Sequence, residues 1–292
     1  MIDEEQQSEL LLDLPVNLRE IGKQVLKRLQ KGDVEVPLFP AIATEVMRLA
    51  NTPDSSASDL ADRIQSDLTL AGHVMRVANS AMYTPSASMV SLQQAIARLG
   101  MNLICEISLS VALNSKLFNA PGYEFRLSEI SQHSFCSAIW SKEVARAAKA
   151  NVETAFLCGL LHGIGKAAFL QTCAELMQTT GKKISSDDVQ LLEDVLHPLF
   201  GREITNTWEM PEVVCETTYY CNDFRSSKKY RQQAAVVHAG SLLADATLSG
   251  KDLFSLQAAR TFEELNLYQD QVSVLLDKRD DVMDSVRAQQ LQ

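Results

Sequence analysis

Glycine and lysine lie close together in the segment Gly163-Ile164-Gly165-Lys166, and both residue types occur in loops that bind phosphate groups. A glycine lets the backbone approach an anion closely, and a lysine supplies the opposite charge. The segment is not a P-loop, because the GxxxxGK[ST] spacing is absent and Ala167 follows the lysine. Lys166 is therefore a candidate anion contact that no complete phosphate-binding motif supports.

A second group of basic residues forms a short loop in the C-terminal half of the chain. Its charged side chains could contact an acidic partner or a phosphate group. Because the charges are few, we favour a solvated loop over a binding site. The residues are Arg225, Lys228, Lys229 and Arg231.

Nucleophilic catalysis has little support in the sequence. Cys221 and His238 are residue types that can form a nucleophile and its base, but their separation in sequence says nothing about their distance in space. The six cysteines are scattered, and none belongs to a CxxC pair. We expect small buried apolar side chains in a reducing compartment, which indicates a cytoplasmic protein.

The charge of the chain limits its partners. The 292 residues carry a formal net charge of −10, and acidic side chains outnumber basic ones in both halves. Broad nucleic-acid binding and docking on an anionic membrane both need clusters of Lys and Arg, so we expect neither. The longest apolar stretch, residues 155–170, contains His162 and Lys166 and is short for a membrane span.

The elements that must position these residues are helical. Gly and Pro are few, at 12 and 8, and no stretch alternates with a period of two. We predict an all-α fold of two packed helical subdomains. The residues of the Pro- and Gly-containing segment 119–128 mark the boundary. The predicted divisions are a frayed terminus at 1–17, an N-terminal subdomain at 18–118 and a C-terminal one at 119–292.

Capping residues predict where several helices begin and end. Ser58, Asp67 and Ser91 each precede an apolar helical pattern, and Gly100 follows one. The segment from about Leu265 to Arg287 is amphipathic. It could serve as a partner helix, but we favour docking on the body of the same protein.

Three segments of the chain carry motifs that occur in the order of a known family. The segment 159–166, GLLHGIGK, resembles the GLLHDIGK segment of HD-type metal phosphohydrolases. Residues 76–83 read RVANSAMY, and residues 91–100 read SLQQAIARLG. This combination is similar to the HDOD family, the HD-related output domains, over residues from about Leu38 to Ala246.

The resemblance implies an all-helical fold with an N-terminal helical subdomain and a C-terminal HD-like bundle. Members of the family are mostly bacterial signal-transduction modules, often joined to receiver or cyclic-di-GMP-related domains. We expect a stand-alone member that acts through protein partners. Asn79 and Ser80 of the first motif are expected to be structural, capping the turn before Tyr83, and the isolated His73 is expected to be structural as well.

The resemblance also implies where metal ligands have been lost. An active HD site resembles a cage of His and Asp around divalent ions that activate water. Gly163 stands at the position of the Asp beside the histidine, Tyr219-Tyr220-Cys221 stands where relatives carry a histidine pair, and Ser241 stands near the final Asp. Asp245 lies one helical turn later and could compensate, although its register does not match that of the lost ligand. We therefore expect no cofactor and a non-catalytic protein.

His133, His162 and His197 remain at motif positions, and two alternatives follow from them and from Lys166. Three histidines could bind a divalent metal such as Zn²⁺ and give a reduced metal-dependent phosphohydrolase. Lys166, which lies near substrate phosphate in a working HD site, could instead bind a small phosphorylated or nucleotide ligand in a sensor. We favour hydrogen-bonded histidines inside the bundle and a solvated lysine at a helix end.

Overall fold

The computed structural model describes residues 10–12, 14–52, 54–79, 88–114, 117–253 and 256–290. These residues form α-helices and one short 3-10 turn at Phe224–Ser226, with no strand among them. The predicted all-α class is therefore confirmed. Ser80 and Tyr83 of the first motif lie outside the described residues.

The N-terminal subdomain is built from the five helices between residues 41 and 114. They pack around a core of buried aliphatic side chains that includes Leu60, Ile64 and Ile104. Its helices are α2 (Ala41–Asn51), α3 (Ala57–Gln65), α4 (Leu68–Ala78), α5 (Leu92–Leu99) and α6 (Met101–Asn114).

Helix α1 (Val16–Lys31) does not belong with these helices. Its apolar stripe, which includes Leu18, Val25 and Leu26, shares a core with residues of the C-terminal bundle such as Phe169 and Phe200. Leu11 and Leu14 are buried in the same core. The packing thus differs from the predicted grouping of 18–118, and the described part of the segment predicted to be frayed is held by apolar burial.

Side-chain caps begin several of the helices. The Asp67 carboxylate accepts from the N–H of Leu70 at 3.0 Å, and the Ser91 hydroxyl accepts from the N–H of Gln94 at 3.1 Å, as predicted. Helix α3 begins two residues earlier than expected, because its capping box with Asp59 is formed by Ser56 and not by Ser58.

Asn79, the last described residue of the segment RVANSAMY, is bonded to Met89. Its side-chain amide donates to the carbonyl of Met89 at 2.9 Å, and its Oδ1 accepts from the N–H of Met89 at 2.6 Å. This two-way bridge supports the structural role predicted for Asn79.

The C-terminal bundle surrounds its longest helix. Helix α7 packs against α8 and α12, and small residues allow the close approach, since a side chain on Gly159 or Gly240 would collide with Ser141. The bundle helices are α7 (Glu124–Ala147), α8 (Val152–Leu161), α9 (Ile164–Thr180), α10 (Ser186–Thr207), α11 (Glu212–Tyr220) and α12 (Arg231–Leu248).

Helix α10 is continuous through Pro198, a residue type that commonly breaks or kinks a helix. A proline inside a helix deprives the carbonyl four residues earlier of its hydrogen bond. That carbonyl belongs to Asp194, an exposed residue that water can reach. The break is therefore unnecessary, and the same helix carries His197 into the bundle.

Residues 256–290 form three helices, α13 (Leu256–Glu264), α14 (Gln269–Leu276) and α15 (Arg279–Gln290), and the amphipathic segment from about Leu265 to Arg287 covers the last two. Leu265, Val272 and Val282 are buried in the core of the bundle. The segment thus docks on its own protein, as favoured. Across the part of the chain that is described, every helix is too short or too polar to span a membrane.

Candidate functional site

Four helices of the bundle bring the motif residues together. His133 lies on α7, His162 follows α8, Lys166 lies in the first turn of α9, and His197 lies on α10. Gly165 makes the arrangement possible, because its backbone touches the carbonyl of His197 so closely that no side chain could fit between the two helices.

His133 and His162 are neighbours whose ring centroids lie 5.4 Å apart. The Nε2 atom of His133 lies 3.1 Å from Oδ1 of Asp245 on α12. Asp245 therefore approaches His133, so its register, which does not look right in the sequence, allows this contact. The pair joins α7 to α12 at the mouth of the site, where the carboxylate is exposed.

His162 is buried at the end of α8, with 3% of its surface exposed. Its Nδ1–H donates to the carbonyl of Gly159 at 2.7 Å. Burial, reinforced by the charge of His133, lowers the pKa of His162 to about 3. His162 is consequently a neutral imidazole at physiological pH.

His197 has a different partner on a different element. The side-chain amide of Asn222, which follows α11, donates to Nε2 of His197 at 3.0 Å. The Nδ1 atom of His197 is buried and has no hydrogen-bond partner among the described residues. Burial and the nearby charge of Lys166 hold the pKa of His197 well below its ordinary value.

Gly163 faces the hydroxyl of a serine on α7. A Cβ placed on Gly163 would lie 2.7 Å from Oγ of Ser134 and 3.8 Å from a methyl carbon of Ile130. An aspartate at this position, as in the HD-type segment, would therefore require the hydroxyl of Ser134 to move.

The described residues do not fit a divalent metal ion. Among them, no group of three His, Cys, Asp or Glu side chains is placed to share one ion. The histidines instead make separate contacts, with Asp245, with the Gly159 carbonyl and with Asn222. Metal chemistry of the HD type needs several ligands around one ion. Here each of the three histidines contacts a different group.

Lys166 is placed differently from the expectation of a solvated cation at a helix end. It lies in the first turn of α9 and is half-buried. Its charge contributes to the lowered pKa values of His162 and His197, although burial is the larger cause for both. A cation at a helix N-terminus adds to the positive end of the helix dipole, so the local field favours an anion.

The basic loop of the C-terminal half is engaged in ion pairs. Arg225 and Arg231 both bind the carboxylate of Glu264, at 2.9 Å and 2.6 Å, and Lys229 pairs with Glu212. Lys228 is exposed. Anion contact by this loop stays a prediction, and the glutamates already balance much of its charge.

Cys221 and His238 do not form a nucleophile and base. The Nδ1–H of His238 donates to the backbone carbonyl of Cys221 at 2.8 Å rather than to its sulfur. Burial raises the pKa of the Cys221 thiol to about 11, so the thiolate is scarce at neutral pH.

Sequence reasoning missed Ser134 and Asn222 and gave Asp245 too little weight. Ser134 adjoins His133, and Asn222 adjoins Cys221, so both stand beside residues that the motifs already marked. Asp245 could have been found from its polarity on a helix whose other face is apolar. None of the three contacts is a motif, because each depends on where two distant helices meet.

The fold and the site define a helical protein with an HD-like bundle and an incomplete set of HD ligands. The chain belongs to the HDOD family, since the model of the HDOD domain matches residues 36–224. A protein of Treponema pallidum (strain Nichols), described as uncharacterized, is 21% identical over 191 residues. That match covers 63% of this chain and 37% of the relative, so the chain spans well under half of the relative's length.

Solved structures share the fold at low sequence identity. A candidate metal-dependent phosphohydrolase from Shewanella amazonensis SB2B superposes with a TM-score of 0.73 at 20% identity, over 93% of this chain and 100% of that one. An HDOD domain protein of unknown function from Geobacter sulfurreducens gives 0.66 at 22% identity, over 93% and 98%. A candidate signal transduction protein from Marinobacter aquaeolei VT8 gives 0.67 at 19%, over 97% and 68%.

Proposed function

We propose that this chain is a non-catalytic bacterial signalling protein of the HDOD family that acts through protein contacts in the cytoplasm. The observation that carries the proposal is the glycine at position 163, which supplies no acidic ligand beside His162, with the hydroxyl of Ser134 close to the point where a side chain would begin. The buried, unlinked cysteines support a reducing compartment. No cofactor is proposed.

Elemental analysis of protein purified without chelator, combined with a general phosphodiesterase assay, tests this function. We expect less than stoichiometric metal and no hydrolysis, with or without added Mn²⁺ or Zn²⁺. A matched control is the His162→Ala variant, which should behave like the parent protein in both measurements. Stoichiometric metal and hydrolysis that His162→Ala abolishes would instead establish the reduced phosphohydrolase.

A second candidate function is the binding of a small phosphorylated or nucleotide ligand. The position of Lys166 in the first turn of α9, beside the buried His162 and His197, favours it. A ligand that binds only the native state must raise the apparent stability. Thermal shifts with nucleoside phosphates should then appear in the parent protein and disappear in Lys166→Ala, and equal curves for both proteins would rule this candidate out.

A further inference from the structure

Two segments connect the N-terminal subdomain to the bundle. Because α1 packs with the bundle, the chain leaves the bundle through residues 32–40 and returns through residues 117–123. Any change in the orientation of the N-terminal subdomain must therefore be accommodated in these two connections.

One buried side chain binds both connections at once. The Oε1 atom of Gln171 accepts from the N–H of Asn119 at 2.9 Å, and its Nε2 donates to the carbonyl of Glu35 at 3.3 Å. Gln171 has 5% of its surface exposed. A glutamine suits this position, because its amide offers a donor and an acceptor on one short, uncharged group.

The position of Gln171 ties the connections to the helix that begins at the candidate site. Gln171 lies on α9, eight residues after Gly163 and five residues after Lys166. The first connection has a further contact, since Nε1 of Trp208 donates to the carbonyl of Pro37 at 2.8 Å. Neither connection is helical, so these side chains replace the hydrogen bonds that a helix would supply.

Other contacts between the two bodies lie on their helices. Glu106 on α6 forms an ion pair with Lys142 on α7, and Asn102 donates to Glu153 at 2.6 Å. Helix α15 packs against both α7 and α4. These contacts hold the surfaces together, whereas Gln171 acts where a hinge would bend.

We propose that Gln171 is a hinge clamp that sets the orientation of the N-terminal subdomain by fixing both connections to α9. The inference goes beyond the proposed function and does not depend on it. With the clamp in place, the two connections cannot move independently of α9. Without it, the N–H of Asn119 and the carbonyl of Glu35 lose this shared partner, and the hydrogen bonds that tie the two connections to α9 are removed.

Distance measurements between two spin labels in the full chain test the clamp. Labels on Asp62→Cys in α3 and Lys182→Cys after α9 occupy exposed positions, and the native cysteines are all buried. Gln171→Met keeps the size of the side chain and removes both hydrogen bonds. We expect its distance distribution to shift or broaden by more than the width of the parent distribution.

Thr172→Val is the matched control. Thr172 is equally buried on the same helix, but its hydroxyl donates to the carbonyl of Ala168 within α9 and touches neither connection. Its distribution should coincide with that of the parent. A Gln171→Met distribution that also coincides with the parent would overturn the clamp.

Amide exchange in the unmodified protein gives a second measurement that does not depend on a folded variant. Asn119 lies outside every helix, yet its N–H should exchange as slowly as amides in the middle of α9, because it donates to a buried side chain. Exchange of Asn119 at the rate of an exposed loop would also refute the proposal.

Discussion

The hydroxyl oxygen of Ser134 lies 2.7 Å from the point where Gly163 would carry a Cβ atom. The backbone of Gly163, with φ of −88° and ψ of −1°, is one that any residue can adopt. Contact with Ser134, and not backbone strain, is thus what a side chain at this position would meet. The HD-type segment that residues 159–166 resemble has an aspartate here, and its Cβ would require the serine hydroxyl to move.

The contact predicts coupling between the two positions. Gly163→Ala should lower the free energy of unfolding by about 1 kcal/mol, the lower end of the range for overpacking, because a serine hydroxyl can rotate away. In the Ser134→Ala background the same change should cost clearly less. Urea unfolding of the four proteins gives the coupling energy, and purely additive effects would contradict the contact.

The histidines should differ in their effects on stability if each has its own partner. His197→Ala removes a side chain that is 2% exposed and should cost about 2–4 kcal/mol, as expected for a cavity in a core. His133→Ala removes a contact with the exposed Asp245 and should cost about 1 kcal/mol or less. Urea unfolding measures the loss of stability in both variants, and repeating it with EDTA shows whether a bound metal contributes. Equal losses, together with a parent protein that EDTA destabilises, would indicate a shared metal instead.

The depressed pKa values of His162 and His197 predict how stability depends on pH. In the unfolded chain both side chains take up protons near pH 6.5, whereas in the folded protein His162 stays neutral down to about pH 3. The unfolded state therefore binds more protons below pH 6.5, and the free energy of unfolding should fall as the pH falls from 7 towards 4.

Unfolding curves at several pH values check this dependence. The slope should be shallower in His162→Gln, while His73→Gln on α4, which removes a histidine outside the bundle, should leave it unchanged. Glu106 has a raised pKa, caused by burial and opposed by Lys142, and it acts in the opposite direction. The comparison is consequently made between variants, and equal slopes for all three proteins would contradict the prediction.

The ion pair between Glu106 and Lys142 should be costly to break from one side. The two side chains are only 13% and 14% exposed. Lys142→Met leaves the carboxylate of Glu106 buried without its partner and should cost about 3–5 kcal/mol, but Glu106→Leu combined with Lys142→Met should recover much of that loss. Denaturant midpoints of the single and double variants measure this.

The exposed pair of Glu212 and Lys229 provides the control for that experiment. Lys229→Met should leave the denaturant midpoint unchanged, since solvent screens a pair of this kind. If Lys142→Met were equally harmless, the buried pair would not help to hold α6 against α7.

Sequence patterns were sufficient for local structure and insufficient where distant segments meet. Asp67 and Ser91 cap helices as predicted, because a cap involves residues only three positions apart. Helix α1 was grouped with the wrong body, because its apolar stripe shows that a partner exists but not which one. The clamp at Gln171 has no sequence signal, since it joins positions separated by 52 and 136 residues.

The sequence by itself determined the helical class, the order of the family motifs and the absence of an aspartate at position 163. These are properties of residue type and short spacing, which periodicity and local hydrogen bonds already encode. Only the tertiary structure decided that Asp245 meets His133, that Ser134 takes up the space beside Gly163, and that Lys166 begins a helix among buried histidines. Such contacts depend on the relative placement of whole helices, which is set by the summed packing of many side chains and by no single motif.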